Sequence, residues 1–332
     1  MVTPSLGFDW TALMRSEWSA NQLVVRCYLM LRADTIGFAP NPKILDLGDT
    51  RVAFFYGRIK YLKTAERPNV RIRRKLPADK PGTTDPAIEL SMPQTGTWEH
   101  TPDSFYTLIA TPASSSNPAE AVARVEETVG LLTTFEEARF VLEPVFEIEV
   151  DPGPPDTQTA SSRPFLVPHE VKEADISDQR LAAISAVRAT IDGLDEEKKN
   201  RLLLSLRWFE SATTGARSSA AVDVFLAYWI ALEALAMPDD TNIRPLNEAL
   251  GAIYGIDGGT ARTQFLTGKL YGLRSAIVHD GKRATITAGI LRYLESLYVD
   301  LFFQEVGLPT ERRAANFLAS YDVEADLDAA LA

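Results

Sequence analysis

Cysteine is nearly missing: Cys27 stands alone among 332 residues. A single thiol excludes an intramolecular disulfide and a cysteine-built zinc site, and it fits a reducing compartment. Within a β-rich run, Cys27 reads as a small apolar core residue. Histidine is almost as scarce, with only His100, His169 and His279, so imidazole chemistry has three candidates. The first thirty residues lack a basic start followed by an apolar core and a small-residue cleavage site, and the run Leu23 to Leu31 is interrupted by Arg26. A signal peptide is therefore not expected. The densest apolar stretch, Ala220 to Met237, contains Asp223 and Glu233. Charges at mid-bilayer are costly, so this stretch is expected to be a buried helix of a cytoplasmic protein with no membrane partner. A glycine-rich phosphate loop, an HExxH metal motif and a G-x-S-x-G elbow are missing, so no metal site and no cofactor are expected. The Gly258-Gly259 pair reads as a turn before a helix. No repeat at solenoid spacing and no long low-complexity tail occurs.

The composition is that of a folded chain, 45% hydrophobic and 24% charged, with a formal charge of -11. That charge opposes casual binding to polyanions, because phosphate affinity comes largely from Lys and Arg displacing counterions. Any nucleic-acid contact must be local. Residues 51 to 80 hold ten basic residues against Glu66 and Asp79, a local balance of +8. In this strip Val70 and Ile72 alternate with Arg71 and Arg73, which places both arginines on one strand face. Two readings stay open for that face: a guide for RNA, or a solvated surface offsetting the acidic remainder.

The length favours two domains. Residues 151 to 168, DPGPPDTQTASSRPFLVP, contain five prolines among small polar residues; they neither continue a strand nor support a helix and read as a linker. Before it, in residues 1 to 150, β-rich runs dominate: QLVVRCYLML, RVAFFYGRIKYL, NVRIRRKL, AIELSM, FYTLIA and VFEIEV. In the last of these, Phe146, Ile148 and Val150 alternate with Glu147 and Glu149. One helix interrupts them near Pro118 to Thr133, with Asn117 as cap. An α+β N-terminal domain follows. From residue 169 to 332 the periodicity becomes helical, with helices expected over about 176 to 192, 195 to 213, 217 to 237, 244 to 254, 260 to 279, 285 to 305 and 310 to 319. This is an all-α helical bundle, with the apolar helix 217 to 237 at its centre and available to a partner.

His279 lies in LYGLRSAIVHDGKR, with Arg274 five positions earlier. Spacing alone discriminates poorly, since Arg163 and His169 stand at a similar separation; there, however, Pro164 and Pro168 forbid a helix. On a continuous helix five residues turn about 500°, which separates the two side chains by about 140° and predicts that one chain does not complete a site. Glu233 sits in an apolar helix where an unpaired carboxylate would be costly, and Arg274 is its expected partner, as a structural pair or as part of a site. Asp223 has a weaker claim, as a helix cap or an outward-facing residue. His100, in TWEHTPDSF, is given no role. The bland account of the C-terminal pair is a favourable charge at a helix end beside a carbonyl-capping Arg.

Three segments in order, LSLRWFESA, YWIALEALAMPDD and LRSAIVHDG, resemble the Apea-like branch of the HEPN superfamily, over roughly residues 195 to 305. In that superfamily an Arg followed after four to six residues by His, at the end of a helix in a bundle, is the hallmark; many members carry Asn or Asp after the Arg, where this chain has Ser275. The resemblance implies a ribonuclease, a hydrolase that cleaves RNA without metal through attack of the ribose 2′-hydroxyl. It also implies a homodimer that brings two such motifs together, and a setting in phage defence or growth arrest. Catalytic roles would fall to Arg274, His279 and Glu233, and RNA contacts to Arg71, Arg73, Lys282 and Arg283. Histidine, with an ordinary pKa of about 6.5, can exchange a proton near neutral pH, and arginine presents paired donors to phosphate oxygens. The alternative is a HEPN-like module that binds RNA, a nucleotide or a protein, or dimerises, without cleaving.

Overall fold

The computed structural model describes residues 22–30, 43–57, 60–63, 69–74, 88–91, 97–100, 104–113, 118–136, 142–150, 160–161, 178–215, 220–237 and 242–332. They divide into two compact units, one holding Met1–Thr128 and Phe135–Ala186, the other Val129–Thr134 and Val187–Ala332. The first is α+β and the second is helical.

The first unit is built on an antiparallel sheet of five strands: β1 (Gln22–Met30), β2 (Lys43–Asp46), β3 (Arg51–Gly57), β8 (Ser104–Ala113) and β9 (Leu142–Val150), in the order β2-β3-β8-β1-β9. Consecutive residues Val52, Ala53 and Phe54 are all buried, as are Ile109 and Ala110. Successive side chains point to opposite faces, so both faces of β3 and β8 are covered there. The β2–β3 turn closes at Gly48, whose φ of +82° suits glycine. Asp46 fixes this turn, accepting from the Gly48 N–H at 3.1 Å and pairing with Arg51 at 3.1 Å. Helix α1 (Pro118–Glu136) starts with proline in its first turn, as expected. Its Arg124 ties it to β8, donating to Thr111 Oγ1 at 3.1 Å and to the Pro112 carbonyl at 2.5 Å.

Smaller sheets join β4 (Lys60–Lys63) to β7 (Thr97–His100), and β10 (Ala160–Ser161) to β5 (Asn69–Arg74) to β6 (Ile88–Ser91). The run RVAFFYGRIKYL, expected as one strand, is thus two. Two residues of the segment expected to lack a strand, Ala160 and Ser161, form β10 opposite Val70 and Asn69; pairing at a sheet edge needs only backbone groups, which small polar residues supply.

The second unit packs α3 (Glu196–Gly215), α4 (Ala221–Ala236) and α8 (Ala288–Glu305) around one core, with the end of α2 (Asp178–Asp192) beside them. The α4 residues Val224, Phe225, Ala227, Tyr228, Trp229, Ala231, Leu232 and Leu235 are buried within the chain, so most of the apolar surface that suggested a partner is consumed internally. Aromatic packing ties the three helices: Phe209 stacks on Tyr298 at 4.2 Å and meets the edge of Tyr228 at 5.8 Å. At Gly130, α1 touches α3 so closely that an added Cβ would lie 2.3 Å from the Leu206 carbonyl oxygen.

Helix α5 (Arg244–Tyr254) ends on Gly255 in the left-handed conformation. The single helix expected over 260 to 279 is two, α6 (Gly258–Gln264) and α7 (Thr267–Asp280). Gly258 and Gly259 belong to the first turn of α6, capped by Asp257, rather than to a preceding loop. The break has a cause: the buried Tyr293 hydroxyl donates to the Phe265 carbonyl at 2.7 Å, and Leu266 adopts φ +52°. A left-handed non-glycine residue costs about 1–2 kcal/mol, so the packing of Phe265 and Tyr293, both wholly buried, outweighs helical continuity. Within α8, Asp300 is wholly buried and caps the following helix α9 (Arg313–Ser320), accepting from the Arg313 and Ala314 N–H groups at 3.0 and 2.9 Å and from the Tyr254 hydroxyl at 2.5 Å. A last helix, α10 (Val323–Leu331), was not expected. Among the described residues no helix is long and apolar enough to cross a membrane.

The α1–α3 contact sets the sign of a substitution. In an exposed helix Gly→Ala stabilises by about 1 kcal/mol; Gly130→Ala is expected instead to destabilise by about 1–3 kcal/mol, because the neighbour is backbone and cannot rotate away. Denaturant unfolding measures the difference, and a stabilised variant would contradict the close approach.

Burial, first of all, pushes the phenols of Tyr228, Tyr254, Tyr293 and Tyr298 above their ordinary value, with the Asp300 carboxylate adding to it at Tyr254 and Tyr293, and Glu295 at Tyr228. A folded-state pKa above the unfolded one gives stability that is fully present below about pH 10 and is lost as pH climbs past it. Phenolate absorbance on alkaline titration is therefore expected to leave these four silent until they ionise in one step with unfolding. Smooth ionisation of all the tyrosines in a folded chain would overturn this.

Candidate functional site

Polar groups on α4 and α7 converge in the second unit. Trp229 is buried, and a buried indole N–H needs an acceptor. It finds Glu233 one turn on, donating to Oε1 at 2.6 Å. The same carboxylate oxygen lies 3.4 Å from Nη2 of Arg274 on α7. The Arg274 side chain is 25% exposed and that of Glu233 27%, a setting that screens the pair less than open solvent does. Nη1 of Arg274 then lies 3.2 Å from Nε2 of His279, which is exposed in the last turn of α7. Trp229, Glu233, Arg274 and His279 thus form one continuous chain of contacts.

Although about 140° separates their positions around an ideal helix, Arg274 and His279 are in contact. The axial rise over five residues is about 7.5 Å. Helical side chains lean toward the N-terminus, so the imidazole tilts back toward Arg274, whose long stem covers what remains. The turn itself is set by Gly281, with φ +62°, and by the Lys282 N–H closing on the Ala276 carbonyl at 3.0 Å.

The remaining candidates are dispersed. Asp223 is exposed in the first turn of α4. Lys282 directs Nζ to the carbonyl of Leu331, and Arg283 is exposed. Arg71 and Arg73 belong to the first unit, on β5, in register with Ser91 and Glu89 of β6. His100 closes β7, and Arg163 and His169 lie outside the described residues. Trp229 is the member that the sequence reading missed; its signal is a tryptophan four positions before an acid on an apolar helix, the spacing at which helical side chains meet.

Chemically, the group offers a guanidinium held from one side and an imidazole open to solvent. Val278, 48% exposed, lies beside it in sequence. Arginine carries only donors, so the contact requires His279 Nε2 to accept and places the proton of the neutral ring on Nδ1. Nitrogen-15 spectra of the neutral imidazole should accordingly show Nδ1 protonated and Nε2 bare; the opposite tautomer would mean that no hydrogen bond joins the two side chains.

No protein-family model, curated protein or solved structure matches this chain in the three comparisons made.

Proposed function

We propose that the helical unit is a HEPN-like domain and that the protein is a metal-independent endoribonuclease working as a homodimer. The observation that carries this reading is the contact of Arg274 with His279 at a helix end, with Glu233 on a second helix behind it. In this reading Arg274 releases His279 Nε2 when the phosphate arrives, and Nε2, its lone pair then free, takes the proton of a ribose 2′-hydroxyl as that oxygen attacks the adjacent phosphorus. The bond from phosphorus to the 5′ oxygen breaks, leaving a 2′,3′-cyclic phosphate, and the proton passes to the departing 5′ oxygen. Arg274 turns donors toward the phosphate oxygens as their charge grows, while Glu233 and Trp229 keep it aimed. Phage defence or growth arrest is the setting that the resemblance implies.

A second reading is favoured by a separate observation. Arg274 already has a counter-charge in Glu233, and the chain is acidic overall, which suits a HEPN-like module that binds RNA, a nucleotide or a protein without cleaving it.

Cleavage assays separate the two. His279→Ala and Arg274→Ala are each expected to lower cleavage by about 10²-fold or more without changing the dimer mass; His279→Ala should leave the unfolding transition in place, whereas Arg274→Ala, which leaves Glu233 without its counter-charge, should lower it in a chain that still folds. The double variant should be no worse than either single one, since residues acting as a unit are non-additive. Chelator should have no effect, and RNA with 2′-deoxyribose at the cut should resist, lacking the attacking hydroxyl. Activity that survives both substitutions in folded protein would sink the assignment; binding without cleavage would leave the second reading.

A further inference from the structure

Helix α7 is anchored near its middle and exposed at its end. Arg274 is held from α4 by Glu233, whereas His279 occupies the last turn, where backbone carbonyls run out of partners and helices fray. The contact between them persists only while that turn stays wound. Lys282 ties the turn twice. Its backbone N–H closes on the Ala276 carbonyl, and its Nζ reaches the carbonyl of Leu331 at the end of α10. A cation suits that place, because terminal carbonyls of a helix carry partial negative charge.

Helix α10 is itself firmly seated. Val323, Leu327 and Ala330 are buried, and Asp326 accepts from the hydroxyls of Thr287 at 2.5 Å and Tyr321 at 2.9 Å. At the other end of α7, Lys269 lies 2.5 Å from Asp328 and 2.8 Å from Glu324. One lysine near each end of α7 therefore fastens it to the same neighbouring helix.

We propose that α10 is a clamp that sets the distance between Arg274 and His279, with Lys282 as the positioning residue that transmits it. This rests on reading Arg274 and His279 as the site, and it assigns the Lys282 ammonium to a helix carbonyl instead of an RNA phosphate. Replacement by methionine keeps most of the apolar stem and removes the charge, and arginine keeps the charge.

The test uses the full chain with Lys282→Met and Lys282→Arg. Amide hydrogen exchange should rise about tenfold at Gly281, at residue 282 and in the last turn of α10 in the methionine variant, the factor expected for one lost charge-assisted hydrogen bond. The nitrogen-15 signal of His279 Nε2 should shift with it, amides of α3 and α8 should be unaffected, and arginine should restore the original pattern. On RNA, kcat should fall while the salt dependence of binding stays fixed. Unchanged exchange together with a salt slope shallower by about 0.7–0.9 would overturn the clamp and return Lys282 to phosphate contact. Unchanged exchange alone overturns it as well. Faster exchange and a shifted imidazole in a protein that cleaves no RNA would uphold the clamp while removing the nuclease reading, so the two fail separately.

Discussion

A carboxylate on an apolar helix must be compensated or it destabilises the fold, and Glu233, in the last turn of α4, imposes that requirement on the contact between α4 and α7. The indole of Trp229 satisfies it from the same helix and the guanidinium of Arg274 from another. That pair helps register α7 against α4, since sliding either helix by one turn would strand both charges. Truncating one member of such a pair is therefore costlier than the pair's own net contribution to stability, which is small for partly exposed ions. Its stronger effect is on specificity: it selects one packing of two helices that apolar contacts alone would allow in several.

Much of this was legible in the sequence, for physical reasons that can be named. The helices over 196 to 215, 221 to 236 and 288 to 305 announce themselves through 3.6-residue periodicity and length, and one of the two acids in the apolar run, Glu233, pointed to its partner. The strands β1, β8 and β9 were visible as β-rich runs. What escaped depended on contacts distant in the chain. The interruption between α6 and α7 is imposed by Tyr293, 28 positions from the carbonyl it binds, and nothing local at Phe265 or Leu266 signals a stop. Helix α10 has only nine residues, three of them acids, a pattern that reads as solvated chain until α7 and α8 supply the surface for Leu327. The meeting of Arg274 with His279 escaped because helical angles describe where side chains begin, not how far a long one reaches.

The two units also illustrate different ways of using charge. In the first, Arg124 binds the end of β8 through Thr111 and Pro112 and its own helix through Glu120, a role that architecture accounts for. In the second, Arg274 is held on one side and meets an exposed imidazole on the other. Residues of the latter kind, restrained but incompletely enclosed, are where positioned chemistry is found, because preorganisation lowers the reorganisation needed when a ligand's charge arrives.

Asp300 carries a consequence for how the domain fails. Its carboxylate lies in a dry interior and is satisfied largely by the first turn of α9 and the Tyr254 hydroxyl. Were α9 to unwind alone, an anion would be stranded where no water reaches it. A short peripheral helix of eight residues would ordinarily open and close on its own, well below the energy of global unfolding. Here it is bonded to the core by a charge that cannot be abandoned, so the periphery and the centre of the bundle melt as one body, and a protease scanning the surface finds no half-open door at that corner.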